Sequence, residues 1–256
     1  DSGAVLAFEP GDCGLHCTAW DGKYVWCGFS LSPSRLLRVD PTDMSTKRVL
    51  IKDAGGLHHF ACDGKSLWAI HSGYNPPGKD VPKGRFKLSR VHPQTGEYKT
   101  FTIADRSGGG YCSTFDGQRI WVGLYRQPAC AVAIDRNGNL VRRIEIPDTP
   151  WRCFRSIIFD GRYLWAGLRT RPGKLVRIDP RGADVRVYTL NAGEDCVNAI
   201  CCDGEYVWAG LETRPSIIVR YHPRTNTHKS ITLEQGEDFC RAVVPAEGHV
   251  YAALYC

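Results

Sequence analysis

The sequence predicts an all-β protein, a six-bladed β-propeller, and three observations point to this class. One phrase, an apolar run followed by Asp-Gly and an aromatic residue, recurs along the whole chain. A second phrase, a strand-like run that ends in a turn, mostly Asp-Pro or His-Pro, follows it five times. No segment shows a long helical period. Four short strands in each repeat, repeated about every 43 residues, are the signature of a propeller.

The Asp-Gly phrase sets the period of the repeat. It begins at Asp21, Asp63, Asp116, Asp160 and Asp203, with a degenerate sixth copy at Glu247. One step is longer because a Pro-, Gly- and Lys-rich insertion lies between His71 and Lys87. Each copy has an aromatic at the same place, namely Trp26, Trp68, Trp121, Trp165, Trp208 and Tyr251. We expect these rings to fill the wedge between neighbouring blades; a carbohydrate-stacking array is the alternative.

The two phrases divide each repeat into four strands, named a to d from the inside outward. The Asp-Gly turn joins a to b, and the turn of the second phrase joins c to d. A single domain is expected, because repeat folds of this size are commonly undivided. The predicted blades cover about residues 13–54, 55–106, 107–149, 150–192, 193–236, and 237–256 together with 4–10.

The last repeat is incomplete, because the sequence ends after strand b. We expect the N-terminal strand, residues 4–10, to close this terminal blade. Its spacing to the first strand a resembles that of a strand d, so strand c has no sequence of its own. Either the N-terminal strand takes the place of strand c, or the blade has an open edge. An open edge invites strand addition and assembly into a polymer or surface layer.

Cysteine usage and the first residue suggest an extracellular location. The chain has 256 residues and 12 cysteines, no CxxC pair, and a mild net charge of +6. Disulfides formed in an oxidising compartment are the simplest account of the cysteines. The sequence starts at Asp1 and its only methionine is Met44, as expected of a mature secreted product; a trimmed chain is the alternative. No apolar run is long enough for a membrane span.

Two disulfides are predicted from position. Simple hairpin register around the first Asp-Gly turn places Cys17 opposite Cys27, and directly opposed cysteines can bond. A bond between Cys13 and Cys256 would join the two termini. Three further cysteines share one counted position in the last three repeats, namely Cys153, Cys196 and Cys240. We expect disulfides to nearby loops there, with a soft-metal site as the alternative.

The candidate ligand site is the mouth of the central channel. Five residues before each turn acid, strand a carries a polar residue in five blades, histidine in the first two and a different type in each of the next three, and Ala242 in the last. The predicted ligand-binding residues are His16, His58, Tyr111, Arg155 and Asn198, together with Arg241. A water-filled channel with harmless polar walls is the alternative. Acidic turns nearby contain Asp195 and Asp238, which could hold a divalent cation, the only cofactor we consider.

The phrases, in forms such as DGEYVWAGL and LVRIDPRG, resemble the repeats of streptogramin-lyase-like and YVTN-type propellers. The resemblance covers nearly the whole chain and implies the propeller fold. It implies no single activity, since that superfamily includes lyases, lactonase-like hydrolases, surface-layer proteins and binding modules. Relatives with activity hold a metal with channel carboxylates and amides, or use paired His and Glu near a metal. The predicted ring of this chain lacks a carboxylate, so the lactonase pattern fails.

The loops between strands b and c repeat an Arg-Pro theme, and several lysines and arginines add to it. The residues are Arg126, Arg171-Pro172, Arg214-Pro215, Lys79, Lys83, Arg85 and Lys174. A basic rim could attract a polyanion such as an acidic glycan; solvated charges on Pro-stiffened loops are the alternative. Nucleic acid is not expected, because few aromatics alternate with the basic residues. We therefore predict an extracellular binding or assembly protein, with a metal-assisted lyase or lactonase-like hydrolase as the alternative function.

Overall fold

The computed structural model describes residues 14–71, 85–104, 109–150, 154–182 and 184–255. These residues form an all-β structure of 22 strands. None of them belongs to a helix that is long and apolar enough to cross a membrane. The predicted all-β class and the four-stranded repeat are both confirmed.

Five antiparallel sheets have four strands and one has two. Within every sheet the strands pair in the order in which they follow along the chain. In the first sheet they are β1 (Leu15–Trp20), β2 (Val25–Phe29), β3 (Ser34–Val39) and β4 (Thr46–Ile51), and in the second β5 (Leu57–Cys62), β6 (Leu67–His71), β7 (Arg85–Val91) and β8 (Tyr98–Ala104). The third contains β9 (Gly110–Phe115), β10 (Ile120–Leu124), β11 (Ala129–Ile134) and β12 (Leu140–Ile146).

The remaining sheets belong to the C-terminal half of the chain. The fourth contains β13 (Phe154–Phe159), β14 (Leu164–Leu168), β15 (Lys174–Ile178) and β16 (Val185–Thr189). The fifth contains β17 (Val197–Cys202), β18 (Val207–Leu211), β19 (Ile217–His222) and β20 (Thr227–Thr232), and the last has only β21 (Asp238–Ala246) and β22 (His249–Tyr255). The chain divides into two compact units: residues 1–122 with 133–141, and residues 123–132 with 142–256.

The Asp-Gly phrase is explained by a side-chain hydrogen bond that repeats in every complete sheet. In the fourth sheet, Asp160 Oδ1 accepts from the backbone N–H groups of Arg162 and Tyr163 and so closes the turn. Its Oδ2 accepts from the indole N–H of Trp165 at 2.7 Å. The same carboxylate–indole pair joins Asp21 to Trp26, Asp63 to Trp68, Asp116 to Trp121, and Asp203 to Trp208. A buried indole thus keeps a partner for its one donor.

Neighbouring sheets fit through a large residue on one strand and a glycine on the next. In the second unit, a Cβ on Gly167 of β14 would lie only 2.5 Å from Val197 of β17. Between the second and third sheets, in the first unit, the sizes are reversed, since a Cβ on Gly110 of β9 would lie 2.4 Å from Ile70 of β6. The space between strand b of one sheet and strand a of the next therefore holds one large side chain, which either strand can supply.

The last hairpin departs from the repeat at its turn. Ala246 pairs with His249, so Glu247 and Gly248 alone connect the strands, with φ values of 50° and 75°. Positive φ at both positions is the geometry of a two-residue type I′ turn. Ala246 takes the place of the turn aspartate, so this turn lacks the carboxylate. Tyr251, in the place of the tryptophan, is 56% exposed.

The cysteine predictions are wrong wherever the structure describes the residues. Cys17 pairs with Gly28, while Cys27 pairs with Thr18, one residue away from the predicted register. Because alternate residues face opposite sides of a sheet, the two thiols lie on opposite faces and cannot bond. All nine described cysteines are free, and Cys13, Cys153 and Cys256 lie outside the described residues. Burial raises the pKa of the Cys62 and Cys201 thiols to about 12, which makes them unreactive at neutral pH.

Candidate functional site

The ring residues predicted from the repeat occupy a β-bulge in each inner strand whose pairing is described. In β1, Leu15 pairs with Phe29 and Cys17 with Gly28, so His16 is the extra residue between them. The same shift of register leaves four more extra residues, namely His58, Arg155, Asn198 and Arg241. A bulge turns a side chain out of the regular alternation of a strand. The repeat therefore frees this one position from core packing.

In β21 the residue equivalent to Asn198 is Arg241, so the position counted for Ala242 is wrong. Cys240 pairs with Leu254 as Val197 pairs with Leu211, and Arg241 is the extra residue that follows. The count failed because Glu247 is not the equivalent of the turn aspartate: by the pairing of the strands, Ala246 takes the place of Asp203. For the same reason Cys240 corresponds to Val197, so the predicted shared position of the three cysteines is also wrong.

In the first unit, His16, His58 and Tyr111 form a row of rings. The ring centroids of His16 and His58 are 4.8 Å apart, and those of His58 and Tyr111 are 5.1 Å apart. The Nδ1 of His16 donates to the carbonyl of His58 at 3.2 Å. That bond fixes the tautomer of His16 and leaves its Nε2 as an acceptor.

His59, which lies next to this row, has a structural role. Its Nδ1 accepts from the backbone N–H of Ser113 at 3.2 Å, and the Ser113 hydroxyl lies 3.1 Å from the same nitrogen. Burial lowers the pKa of His59 to about 4, so it is neutral at physiological pH. We therefore assign His59 to the joint between β5 and β9.

In the second unit, Arg155 is held by a carboxylate that the sequence did not single out. Glu212, just after β18, lies 3.8 Å from Arg155 Nη2, and the side chains are 10% and 13% exposed. Arg169 binds the same carboxylate, with its Nε 3.0 Å from Oε2. Two guanidinium groups around one largely buried carboxylate give this corner a positive local charge.

Asn198 and Arg241 are the other two bulge residues of the second unit. The Asn198 amide donates to the carbonyl of Cys240 at 2.8 Å and so ties β17 to β21. Arg241 is exposed, and its guanidinium lies 5.5 Å from the ring centroid of Tyr255. Asn198 is thus engaged by backbone, whereas Arg241 is open to solvent.

A cleft of about 470 Å³ opens beside these residues, within the second unit. Its walls come from the loops after β14, β16 and β18 and from strands β19, β20 and β21, and contain Arg171, Gly193, Asp195, Glu212, Thr213, Arg214, Pro215, Ile217, Thr232 and Phe239. The volume is in the range of small-molecule sites. Arg214 lies over the Phe239 ring at 4.3 Å, which holds its guanidinium at the wall. The cleft combines two arginines with hydroxyl and apolar groups.

Asp195 and Asp238, predicted to bind a metal, each face an arginine. Asp195 lies 3.8 Å from Arg171, and Asp238 lies 3.5 Å from Arg214. A guanidinium at this distance competes with a divalent cation for the carboxylate. Within the described ranges, no group of three His, Cys, Asp or Glu side chains could hold a metal ion. A cation at Asp195 and Asp238 stays a prediction.

The Arg-Pro theme led to the right loops but not to every residue of the cleft. Arg171 and Arg214 line it, while Arg126 pairs with Glu145 at 3.4 Å in another loop. Lys79, Lys83 and the Arg85 side chain lie outside the described residues. Sequence reasoning missed Glu212, Arg169 and Phe239. Two of these residues could have been found from the sequence. Arg169 follows Gly-Leu in the fourth repeat, and Glu212 follows Gly-Leu at the equivalent position in the fifth.

Comparisons with known proteins concern the fold alone. Neither a protein-family profile nor a curated protein matches the chain. Among solved structures, the extracellular domain of the one-component system BT4673 from B. thetaiotaomicron is similar, with a TM-score of 0.71 and 14% identity. That match covers 94% of this chain and 32% of the other, so this chain spans about a third of its length.

Two further solved structures share the architecture. U3-55K matches with a TM-score of 0.69 and 10% identity over 90% of this chain and 70% of the other. A chain of the nidogen/laminin complex matches with a TM-score of 0.61 and 12% identity over 84% and 79%. These likenesses indicate a β-propeller-type fold. They do not identify a superfamily, so the resemblance to lyase-like and YVTN-type repeats stays a prediction.

Proposed function

We propose that the protein is an extracellular binding module that takes an acidic glycan in the cleft of its second unit. The observation that carries the proposal is the pair of exposed guanidinium groups, Arg171 and Arg214, in one cleft of ligand size. Their side chains are 81% and 62% exposed. Guanidinium is the side chain best suited to carboxylate and sulfate groups, because it donates two parallel hydrogen bonds.

The carboxylates in the cleft do not argue against an anionic ligand. Exposed ion pairs such as Arg171–Asp195 contribute roughly 0–1 kcal/mol, so a ligand carboxylate or sulfate can replace the aspartate at little cost. Glu212 is already neutralised by Arg155 and Arg169. The positive charges in and around the cleft therefore outweigh the negative ones, which favours the binding of an anionic ligand.

The other wall residues suit a sugar. Thr213 and Thr232 present hydroxyl groups, and Pro215 and Ile217 give an apolar surface. Glycans need both, because their rings have polar edges and apolar faces. A purely inorganic anion would use only the arginines.

The extracellular location and the number of blades belong to the same proposal. The location is supported by the likeness to the BT4673 extracellular domain; the expected disulfides no longer support it. Six blades are supported by the six copies of the Asp-Gly phrase. The lyase or hydrolase alternative stays a prediction without a described residue set that favours it.

Titration calorimetry with defined hexasaccharides tests the proposal. We expect a sulfated or uronate hexasaccharide to bind the full chain, more weakly at higher salt, and an uncharged maltohexaose not to bind. The double variant Arg171→Ala/Arg214→Ala should lower the affinity at least tenfold, because each charge-assisted hydrogen bond contributes about 1.5–3 kcal/mol.

Arg186→Ala is the matched control. Arg186 lies on β16, is 57% exposed and pairs with Asp184 at 3.3 Å, outside the cleft. Its loss removes the same charge and should leave the affinity unchanged. Equal losses in the control and the cleft variant, or no binding of acidic hexasaccharides at all, would refute the proposed site.

A further inference from the structure

The two arginines of the cleft belong to two copies of one structural element, one in the fourth repeat and one in the fifth. Each copy joins a Thr-Arg-Pro loop, which follows strand b, to a Gly-Glu-Asp loop, which leads into the next strand a. The first loop pair contains residues 170–172 and 193–195, and the second contains residues 213–215 and 236–238. The cleft therefore presents the same sequence element twice.

The two loop pairs also have the same hydrogen bonds and the same ion pair. Two backbone bonds join the loops of each pair, and their donor–acceptor residues are Cys196–Thr170 and Gly173–Glu194 in the first, and Phe239–Thr213 and Ser216–Glu237 in the second. All four distances lie between 2.7 and 3.1 Å. Arg171 lies 3.8 Å from Asp195, and Arg214 lies 3.5 Å from Asp238. Each loop pair thus presents one guanidinium group to the cleft from an equivalent backbone.

An ion pair between the two loop pairs fixes their separation. Arg169 and Glu212 occupy the same position in their repeats, directly before the threonine of each loop pair. Arg169 Nε lies 3.0 Å from Glu212 Oε2, and the backbone N–H of Glu212 donates to the carbonyl of Cys196 at 2.9 Å. The second loop pair is therefore bonded to the first through a side chain and through the backbone. A ligand meets two guanidinium groups on a preorganised support.

The spacing of the loop pairs follows from the packing of the two sheets. The fourth and fifth sheets share one apolar cluster, to which the fourth contributes Trp165 and Leu175 and the fifth contributes Val207 and Tyr221. Sheets that pack face to face lie about 10 Å apart, so equivalent points of the two sheets are separated by roughly this distance. In an extended glycan this is close to the length of a disaccharide. Acidic groups that match both loop pairs therefore stand on alternate sugars.

We propose that the cleft binds a glycan in which an acidic sugar alternates with an uncharged one, with two successive acidic groups on the two loop pairs. This inference rests on the proposed function and adds the repeating unit of the ligand. One acidic group replaces Asp195 at Arg171, and the next replaces Asp238 at Arg214. Because the glycan links the two groups, the second contact forms within a complex that already exists, which raises the affinity above that of a single contact.

The two loop pairs differ in how firmly they hold the arginine. Arg214 lies over the ring of Phe239 at 4.3 Å, whereas the equivalent residue of the first loop pair is Cys196. The Arg171 side chain is also the more exposed of the two. A side chain that is already ordered loses less entropy when it binds. An isolated acidic group should therefore prefer Arg214.

Titration calorimetry of the full chain with three oligosaccharides tests the spacing. The tetrasaccharide of alternating glucuronate and N-acetylglucosamine carries two carboxylates on alternate sugars, and its disaccharide carries one. Digalacturonate carries two carboxylates on adjacent sugars and is the charge-matched control. We expect the tetrasaccharide to bind at least about tenfold more tightly than either of the others, because it alone reaches both arginines.

The variant Arg171→Ala separates the two loop pairs. It should lower the affinity for the tetrasaccharide at least about tenfold, to near that of the disaccharide, because one charge-assisted contact is lost. The affinity for the disaccharide should stay within about twofold, since its one carboxylate still binds at Arg214. Arg186→Ala, which removes the same charge outside the cleft, should change neither affinity.

Three outcomes would overturn the inference and leave the proposed function standing. The disaccharide binds as tightly as the tetrasaccharide, digalacturonate binds as tightly as the tetrasaccharide, or Arg171→Ala weakens the disaccharide and the tetrasaccharide equally. Each would mean that one acidic group, or two at another spacing, accounts for the affinity. If no acidic oligosaccharide binds at all, the hexasaccharides included, the proposed function fails and this inference fails with it.

Discussion

The fifth sheet and the last hairpin derive from the same repeat and differ at almost every point where the repeat is stabilised. Asp203 binds the indole of Trp208, while the last hairpin has a two-residue turn and an exposed Tyr251. Gly210 receives Cys240 of the next strand, and Ala253 stands in the equivalent place. The repeat signature is thus kept where a neighbour packs against it and is lost where none of the described residues does.

The loops before the two inner strands show the same contrast. Glu194 accepts from Asn191 N–H and His228 Nε2, each at 2.8 Å, and from the Ser230 hydroxyl. Its counterpart Glu237 accepts from Glu234 N–H at 2.9 Å, and the described part of that sheet has no strand d. In a complete sheet, a carboxylate at this position therefore accepts hydrogen bonds both from its own loop and from strand d.

The largest expected difference concerns the aromatic of strand b. Trp165→Ala should lower the free energy of unfolding by about 3–5 kcal/mol, because a fully buried ring leaves a cavity. Tyr251→Ala should change it by about 0.5 kcal/mol or less, since its ring is mostly exposed. Urea unfolding followed by circular dichroism measures both. Similar losses in the two variants would mean that the last hairpin is packed like a complete sheet.

Replacement of the turn aspartate should have an intermediate effect on the free energy of unfolding. Asp160→Asn keeps the oxygen that caps the turn but points an amide N–H₂ at the indole N–H of Trp165. Two facing donors cost about 1–3 kcal/mol of stability. Glu247→Gln, in the two-residue turn, should be neutral within error. The midpoints of thermal unfolding of the two variants measure these effects. If Asp160→Asn leaves the midpoint unchanged, the carboxylate–indole hydrogen bond does not stabilise the repeat.

The smallest effect, and the one with a pH signature, belongs to Glu194. Burial opposes ionisation of Glu194, but hydrogen bonds from Ser230, Asn191 and His228 outweigh it and lower its pKa. The folded state therefore binds the proton less readily than the unfolded state. The stabilisation is present above the unfolded pKa of about 4.3 and is lost as pH falls through the lower folded value.

Glu194→Gln should accordingly cost about 1–2 kcal/mol at pH 7, and the difference from wild type should shrink towards pH 3. Glu237→Gln should cost less at pH 7, because among the described residues its carboxylate accepts from its own loop and from no strand d. Denaturation series at pH 3, 5 and 7 provide the test. A cost for Glu194→Gln that does not change with pH would show that the carboxylate's charge is irrelevant.

Much of the fold could be predicted because the repeat encodes it locally. The Asp-Gly turns and the Trp positions follow from short-range hydrogen bonding and burial, so Trp165 and its equivalents were predicted as core. The bulge could not be predicted, since it depends on pairing between strands; a simple register therefore placed Cys17 opposite Cys27. Counting from Glu247 failed for Arg241 because Ala246, and not Glu247, stands in the place of the turn aspartate. Glu212 was missed because its role depends on two arginines from the preceding repeat.

The matched volumes of Gly167 with Val197, and of Ile70 with Gly110, bear on how such a chain can be rearranged. Each match joins strand b of one repeat to strand a of the next, so a cut at the repeat boundary separates the two residues that must agree. Exchanging whole repeats would create clashes or holes at both ends of the transplanted piece. Segments cut between strands a and b, just before the Asp-Gly turn, would run from strand b of one repeat through strand a of the next and carry their matched pairs intact, which makes that point the natural crossover for recombination or design.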